Sequence, residues 1–429
     1  MISTIVLATL VAFFALIVLT FFTRGTPLHR VCLIGDREEY CAVGHAEFAE
    51  TFAILTNTTI TEGNRIELLV NGEQTYGRLW EDLAGARDLI TWHVFWFKPG
   101  RLADRLAEIL VDRARAGVRV LFLYDYYGSA GVPSAYFDRL REAGVEVSAF
   151  RPPRWNTLYK LQQRMHMRTV VIDGAIGYTG GFAIADEWIG DGRHEDQWRD
   201  TSVRVEGDVV NQIQAAFASN WVEATGRLIL GDRVFPPDDE GKPAPGEITA
   251  GLMYDAPSIG STNAERFFML AISGARQRLY ITNAYFVPDH HFRHALIHAA
   301  ERGVDVRILT PGRNTDRDST YHAAVAGYEE LLEGGVRIWH YRPTMVHAKT
   351  VVVDGVWSSI GTINFDNRSM VLNDEVAVVI WDPPFARRME ELFLEDLRHA
   401  DEVELDQVRS RPALDRLKER FYVTLSPFL

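Results

Sequence analysis

Apolar and polar positions along the chain alternate between helix-like and strand-like patterns. Residues 102–110 carry apolar side chains at the spacing of one helical face, and Gly117 ends this pattern. The apolar run at residues 118–123 is typical of a buried strand. Residues 295–300 and 304–309 repeat this succession. The pattern therefore predicts a helix followed by a strand at two places.

Further matching segments lie at a constant offset. Gly144 and Gly335, and likewise Pro152 and Pro343, are separated by 191 positions. Strands that alternate with helices of this length predict α/β layers. We expect two pseudo-symmetric halves, each a mostly parallel or mixed sheet flanked by helices. The halves are expected to lie face to face, so that equivalent residues meet.

Composition indicates where the halves begin and end. Residues 232–247 are rich in proline and acidic residues, as in an exposed linker. We therefore place the first half at residues 64–231 and the second at residues 248–429, with residues 23–63 as a connecting segment. An amphipathic helix around residues 408–421 is expected to pack on the body of the second half.

The first residues of the chain predict a transmembrane helix. Residues 2–22 are apolar apart from one serine and three threonines, and about 20 such residues span a bilayer. The segment has no preceding basic stretch and no small-residue cleavage site, which favours an anchor over a cleaved signal peptide. Arg24, Arg30 and Arg37 follow the span, so the positive-inside rule favours a cytoplasmic body.

Composition excludes some classes of protein. With 429 residues, of which 47% are hydrophobic, the chain can form two cores. The net charge of −13 argues against a general nucleic-acid-binding protein, although a local basic groove stays open as an alternative. Cys32 and Cys41 lack metal-site spacing, so neither a disulfide framework nor a zinc site is predicted.

Each half carries a histidine motif at the same point of its pattern. The second half follows H-x-K-x4-D-x6-G-[ST]-x-N with His347, Lys349, Asp354, Gly361, Thr362 and Asn364. The first half keeps this spacing with His166, Arg168, Asp173, Gly180, Gly181 and Ala183. It thus has Arg where the second motif has Lys and Ala where it has Asn. Ten extra residues, within 154–163, precede the first motif and are expected beside the site.

This pattern fits two-step displacement at phosphorus. Alternate residues of a strand share a face, so His347 points the same way as Lys349, and His166 the same way as Arg168. One imidazole can attack phosphorus while the other protonates the leaving alkoxide, through a phosphohistidine. The cations and the Asn364 amide can hold the phosphate oxygens. No metal or cofactor is needed, and the sequence shows no metal-ligand cluster.

The doubled motif resembles the phospholipase D superfamily, and its surroundings are similar to bacterial cardiolipin synthases. The resemblance runs from about residue 64 to the C-terminus and is clearest at residues 178–182, 198–201 and 364–369. It implies that His166 attacks phosphorus and that His347 supplies the acid.

The resemblance also implies roles for the other motif residues. An acidic residue downstream of each motif accepts the second ring N–H of a catalytic histidine, and the matching residues are Asp200 and Glu375. Asp173 and Asp354 are expected to be structural. The residues expected to bind substrate are Asn364, Gly180, Gly181, Gly361 and Thr362.

We therefore expect a phosphatidyltransferase anchored in the cell inner membrane and acting on phosphatidylglycerol. One alternative is a phosphodiesterase that hydrolyses phospholipid or nucleic acid. A second, motivated by Arg168 and Ala183, is a weakly active or non-catalytic phosphate-binding relative. An apolar, aromatic-lined mouth favours lipid, whereas a flanking basic groove favours nucleic acid.

Other polar residues have simpler interpretations. His93 lies in an aromatic strand and is expected to be a packed core histidine. His194 is expected in a loop and His322 on the surface. Asp125 and Gly128 follow a strand, where a binding crevice and an ordinary capped turn are equally consistent with the pattern.

Overall fold

The computed structural model describes residues 6–15, 28–31, 42–155, 160, 162–237, 243–257, 260 and 262–426. Residues 6–15 are helical (α1) and exposed. Among the described helices, none is both long and apolar enough to cross a bilayer. The rest of the predicted span 2–22, and both Cys32 and Cys41, lie outside the described residues.

Sixteen strands in the described chain belong to one extended sheet. Those of the first half are β1 (Ile60–Val70), β2 (Leu89–Val94), β3 (Arg119–Asp125), β4 (Glu146–Phe150), β5 (Arg164–Met165), β6 (Thr169–Ile172), β7 (Ile176–Gly180) and β8 (Thr201–Glu206). Those of the second half are β9 (Ile248–Asp255), β10 (Arg278–Asn283), β11 (Asp305–Thr310), β12 (Arg337–Tyr341), β13 (Lys349–Val353), β14 (Trp357–Gly361), β15 (Asn373–Trp381) and β16 (Ala400–Glu402).

Helices cover the sheet. Those up to the end of the first half are α2 (Ala46–Thr56), α3 (Asn71–Ala84), α4 (Arg101–Arg115), α5 (Ser134–Glu142) and α6 (Val209–Thr225). Those of the second half are α7 (Asn263–Gly274), α8 (His290–Glu301), α9 (Asp318–Val325), α10 (Tyr328–Glu333), α11 (Asn367–Val371), α12 (Pro383–Leu397), α13 (Leu405–Arg409) and α14 (Ala413–Thr424). The predicted helix–strand pairs are α4 with β3 and α8 with β11, so the repeat is confirmed.

The two halves have the same strand order. It is β4-β3-β2-β6-β7-β8-β1 in the first and β12-β11-β10-β13-β14-β15-β9 in the second. Only the first three strands of each order are parallel, so each half is a mixed sheet. The halves join edge to edge where β1 pairs antiparallel with β9. The expected face-to-face arrangement is therefore wrong, because one continuous sheet runs through both halves.

A shared hydrophobic core fixes this junction. Phe217 and Trp221 of α6 and Met389 of α12 pack with residues of β1, β8, β9 and β15 in one buried cluster. Burial of each large side chain contributes roughly 1.5–3 kcal/mol. The two halves are therefore held together by a continuous apolar interior as well as by strand pairing.

The connecting segment contributes to the second half. Phe52 of α2 is fully buried, and its ring lies 6.2 Å from that of Phe267, 6.0 Å from Trp357 and 5.5 Å from Trp381. Helix α2 thus extends the core of the second half although it precedes the first half in the chain.

The C-terminal region differs from its prediction. The chain forms α13 and α14 instead of one helix over residues 408–421, because Pro412 cannot continue a helix. Val408 is buried, but Leu414, Leu417 and Phe421 are 64%, 64% and 58% exposed, so the expected packing through this face is wrong.

The expected surface position of His322 is also wrong. It is buried on α9, where its ring stacks on Tyr422 of α14. Helix α14 therefore meets the body through this stack and leaves its apolar face open.

Replacement of Phe52 tests how α2 supports the second half. Phe52→Ala should destabilise the protein by about 3 kcal/mol, because it leaves a cavity among three aromatic rings. Denaturant unfolding measures this, with Ile54→Ala as control, since Ile54 is on the same helix and 79% exposed. Equal stability of the two variants would contradict the packing role of α2.

Candidate active site

Each motif histidine lies on a segment that pairs with the opposite half. β5 runs parallel to the start of β15, and the His166 backbone N–H donates to Asp374 O at 3.0 Å. In the same way, Val346 forms a bridge with Arg199, and the His347 backbone N–H donates to Arg199 O at 2.7 Å. Main-chain hydrogen bonds therefore fix both histidines across the junction.

The two carboxylates expected to orient the histidines do so in a crossed arrangement. His166 Nδ1 lies 2.7 Å from Glu375 Oε1, and His347 Nδ1 lies 3.1 Å from Asp200 Oδ2. Each histidine is thus bound by the carboxylate of the other half. A carboxylate accepts the Nδ1–H, which leaves Nε2 as the nitrogen available for chemistry.

Both carboxylates are themselves held by hydrogen bonds. Thr362 Oγ1 donates to Glu375 Oε2 at 2.5 Å. Trp188 Nε1 donates to Asp200 Oδ2 at 2.7 Å, and the Thr201 backbone N–H donates to Asp200 Oδ1 at 2.7 Å. These contacts set the orientation of each carboxylate before any substrate binds.

Of the residues expected to bind substrate, Gly181 and Thr362 contact these carboxylates, and Gly180 and Gly361 pack on the neighbouring strands. A Cβ on Gly181 would lie 2.1 Å from Asp200 Oδ1, and one on Gly361 would lie 2.2 Å from Val376 O. A Cβ on Gly180 would lie 2.5 Å from Ser202 Cα of β8. None of these glycines, nor Thr362, lines the cavity beside the histidines, whereas Asn364 does.

A buried cation accompanies each histidine. Lys349 Nζ lies 2.9 Å from His347 Nε2 and donates to His347 O at 2.5 Å. Arg168 Nη2 lies 3.1 Å from His166 Nε2, and Nη1 donates to His166 O at 2.9 Å. Arg168 therefore reproduces, in the first half, the contacts that Lys349 makes in the second.

Burial and these cations keep both imidazoles neutral. Burial lowers the pKa of His347 to about 3, and the charge of Lys349 adds to this effect. Burial also places the pKa of His166 well below its usual value, and Arg168 reinforces this shift. Both histidines are therefore unprotonated at Nε2 in the unliganded site.

The two carboxylates have different affinities for protons. Burial raises the pKa of Glu375 to about 7, although the hydrogen bond from Thr362 opposes this rise. Burial disfavours ionisation of Asp200 too, but the hydrogen bond with His347 and the charge of Lys349 leave its pKa below the usual value. Asp200 therefore stays ionised at a lower pH than Glu375 does.

Both histidines open into one cavity of about 580 Å³. Aromatic side chains form part of its wall, namely Phe95, Trp96, Tyr127, Trp188, Trp198 and Tyr285. Cationic and polar side chains form another part, namely Gln162, Arg164, Arg168, Arg317, Asn364 and Arg368. Asn364 Oδ1 is buried without a hydrogen-bond partner among the described residues. The site therefore offers both apolar contact and groups that can bind a phosphate.

The motif aspartates lie at the far ends of the strands. Asp173 accepts backbone N–H groups of residues 87–89, and Asp354 accepts those of residues 276–278, all at 2.7–2.9 Å. Neither aspartate lines the cavity. They hold the starts of β2 and β10, which is a structural position.

Three polar residues outside the motifs have defined positions in the structure. His93 is fully buried, with Nδ1 2.8 Å from Thr169 Oγ1, which confirms a packed core histidine. His194 is an exposed loop residue, as expected. Asp125 caps its turn by accepting the backbone N–H groups of Tyr127 and Gly128 at 2.9 and 3.0 Å.

Sequence reasoning missed the tryptophans and three arginines of the cavity. Arg164, His166 and Arg168 alternate along one segment, so strand periodicity could have placed Arg164 on the face of the histidine. Trp188 and Trp198 carried no such periodic signal, because Trp188 ends a three-residue 3₁₀-helix and Trp198 lies in irregular chain. Of the ten inserted residues, Gln162 lines the cavity, which confirms the expected position for that residue.

One group of potential metal ligands occurs in the described chain. His290 and His294 of α8 and Glu330 of α10 bring their ligand atoms within 4.8 Å of one another. None of the three lines the cavity. The group is therefore separate from the histidine motifs.

The fold and the sequence both match known proteins. A family model described as "Cardiolipin synthase, PLD-like domain" matches residues 269–397. The cardiolipin synthase of Geobacillus kaustophilus is 35% identical over 374 residues, which cover 86% of this chain and 73% of the relative. Cardiolipin synthase A of Pseudomonas putida is 35% identical over 370 residues, which cover 85% of this chain and 75% of the relative.

Two solved structures share the fold. The phosphatidylserine synthase of Haemophilus influenzae superposes with a TM-score of 0.68 at 13% identity, covering 90% of this chain and 100% of that chain. The polyphosphate kinase of Porphyromonas gingivalis gives a TM-score of 0.53 at 12% identity, covering 85% of this chain and 53% of that chain.

These findings define an enzyme of the phospholipase D superfamily, of the phosphatidyltransferase type. Within that superfamily, the chain belongs to the cardiolipin synthase family.

Replacement of Glu375 should change how stability depends on pH. The Glu375 pKa rises from its usual value of 4.5 to about 7 on folding, so the folded protein binds this proton more tightly. The resulting stabilisation is fully present below pH 4.5 and is lost as the pH rises through about 7. Relative to Glu375→Gln, the wild type should therefore lose about 3 kcal/mol of stability across this range.

Denaturant unfolding at a series of pH values measures this difference. The exposed residue Glu108 gives a matched control, Glu108→Gln. A stability difference between wild type and Glu375→Gln that does not change with pH would contradict the raised pKa.

Proposed function

We propose that the protein transfers a phosphatidyl group from one phosphatidylglycerol to a hydroxyl of a second, giving cardiolipin and glycerol. Two neutral histidines on one cavity, each bound by a carboxylate of the opposite half, carry this proposal. The names of the related cardiolipin synthases support this choice of substrate and product.

The first step forms a covalent intermediate. His166 Nε2 attacks phosphorus, so that a P–N bond forms while the P–O bond to the leaving glycerol breaks. Glu375 accepts the Nδ1–H of His166 and stabilises the positive charge that the ring acquires. His347 gives a proton to the glycerol oxygen. The anionic phosphodiester offsets the charges of Lys349 and Arg168, and this raises the affinity of His347 for that proton.

The second step transfers the group to an acceptor. The hydroxyl of the second phosphatidylglycerol attacks phosphorus, the P–N bond breaks, and the hydroxyl proton passes to His347 Nε2. His347 is unprotonated after the first step, as this step requires. In this proposal Arg168 and Asn364, which line the cavity, bind the phosphate oxygens as negative charge accumulates on them.

The first motif supports catalysis despite its departures. Arg168 keeps the positive charge and makes the same two contacts with its histidine as Lys349. The loss of an amide at Ala183 leaves Asn364 as the amide supplied by the two motifs. These contacts favour an active enzyme over a non-catalytic phosphate-binding protein.

The surroundings of the cavity favour lipid as substrate. Six aromatic side chains contribute to the wall, which suits apolar groups better than a nucleic-acid backbone. We propose further that residues 2–22 anchor the protein in the cell inner membrane, with its catalytic body in the cytoplasm. An anchored cavity would face a substrate that is confined to the same bilayer.

Replacement of a catalytic histidine tests the mechanism. His347→Ala and His166→Ala should each lower cardiolipin formation by about 10³-fold, because each removes a proton donor or the nucleophile. The assay incubates the full-length protein with labelled phosphatidylglycerol in mixed micelles and resolves the products. His194→Ala, at an exposed loop position, is the control.

The products decide between the candidate reactions. Unchanged turnover in His347→Ala would contradict the two-histidine mechanism. Phosphatidic acid without cardiolipin would identify the wild-type enzyme as a hydrolase.

Replacement of Arg168 tests whether its charge is what the first motif needs. Arg168→Lys should keep activity within about tenfold, whereas Arg168→Met should lose about a hundredfold or more, since the methionine keeps bulk without charge. Initial rates in the same assay measure both variants. Equal loss in both would show that the guanidinium geometry, not the charge, is essential.

A further inference from the structure

The pseudo-symmetry of the site is broken beside His166. Arg164 stands two residues before His166, and the equivalent position, 181 residues later, is the buried apolar residue Met345. Arg368 is similarly related to Glu187, which has the opposite charge and pairs with Lys98. The backbone is thus duplicated here, whereas the charges are not.

Arg164 is buried without a full set of partners. It is 3% exposed, yet it lines the cavity. Nη2 donates to Lys160 O at 3.1 Å, Nη1 forms an ion pair with Asp125 Oδ1 at 3.7 Å, beyond hydrogen-bond distance, and the guanidinium lies 4.8 Å from the centre of the Tyr127 ring. Among the described residues, Nε and Nη1 have no hydrogen-bond partner. Because unmade hydrogen bonds of a buried charge are costly, these donors indicate an anionic ligand.

Two further arginines line the same cavity. Arg368 donates to Gln162 Oε1 and O, both at 3.2 Å, and Arg317 is an exposed residue that also lines the cavity. Burial lowers the pKa of Arg368, and the nearby charge of Arg164 adds to this effect. Asp366 and Asp125 oppose this shift at Arg368, Asp125 and Asp374 act in the same way on Arg164, and Asp316 also lines the cavity. The arginines therefore form a cationic wall that a bound anion would stabilise.

We propose that Arg164, Arg368 and Arg317 form a second anion subsite, which binds the phosphodiester of the phospholipid that accepts the phosphatidyl group. This inference rests on the proposed transferase function. The phosphate that reacts is assigned to the histidines with Arg168 and Asn364, so a second phosphate needs cations of its own.

The spacing of the two groups suits this substrate. Residues i and i+2 of an extended segment are roughly 7 Å apart, so Arg164 stands one short step from His166 along the cavity wall. The acceptor carries its phosphodiester one three-carbon unit away from its terminal hydroxyl. Water and small neutral alcohols have no such group, so the subsite would select a phospholipid as acceptor.

A partition experiment isolates the acceptor. Full-length protein is given labelled phosphatidylglycerol together with ethanol, and cardiolipin and phosphatidylethanol are measured in the same reaction. Both products arise from one phosphohistidine, so effects on donor binding cancel in their ratio. Arg164→Gln and Arg368→Gln should each lower the ratio of cardiolipin to phosphatidylethanol by about tenfold or more, because charge-assisted hydrogen bonds to the acceptor are lost.

Matched variants test whether a change in the product ratio comes only from structural disruption. Lys98→Gln removes a cation near the aromatic wall, beside Trp96, and should leave the ratio at the wild-type value. Arg164→Lys should restore part of the ratio, since it returns the charge. Arg164→Gln leaves Asp125 buried beside a neutral side chain, which destabilises the fold. If Arg164→Gln does not fold, Arg368→Gln still tests the subsite.

The outcomes separate this inference from the proposed function. If the wild type forms neither product, the transferase proposal fails. If the wild type forms both and the two arginine variants keep its ratio, the second subsite is overturned while the transferase stands. Equal loss of both products would place these arginines on the reacting phosphate, which also overturns the subsite.

Discussion

Each motif histidine shares a hydrogen bond with a carboxylate from the opposite half of the chain, and this crossed pairing requires the halves to be held rigidly together. The Nδ1–oxygen distances are 2.7 Å at His166 and 3.1 Å at His347. An error of about 1 Å in the junction would break both. Strand pairing between β1 and β9, and the core shared by α6 and α12, therefore belong to the catalytic apparatus as much as the histidines do.

The crossing also explains why neither half alone would form a site. Each half supplies a histidine with its cation, and a carboxylate for the other half. The glycines next to these carboxylates leave no room for a Cβ, so the close packing of β7 on β8, and of β14 on β15, brings each carboxylate to its histidine. The crossed pairing is preserved even where the motifs differ at Arg168 and Ala183.

Much of the architecture could be predicted from periodicity. The repeated helix–strand pattern indicated α4 with β3 and α8 with β11, because local burial determines these elements. The edge-to-edge junction could not be predicted, since β1 and β9 are joined by pairing across the whole first half. Asp200 and Glu375 could be identified from sequence as partners of the histidines. Which carboxylate binds which histidine could not be predicted, because the crossed assignment depends on long-range geometry.

A pseudo-symmetric scaffold must bind the donor and the acceptor of the phosphatidyl group differently if it is to direct a transfer. The backbone and the crossed carboxylates obey the symmetry, because they position two chemically similar imidazoles. The side chains that face the cavity do not, since Arg164 corresponds to Met345 and Arg368 to Glu187. The proton affinities of the carboxylates also differ, with the Glu375 pKa at about 7 and that of Asp200 below its usual value. Such differences can give the two histidines separate roles without disturbing the hydrogen bonds on which both depend.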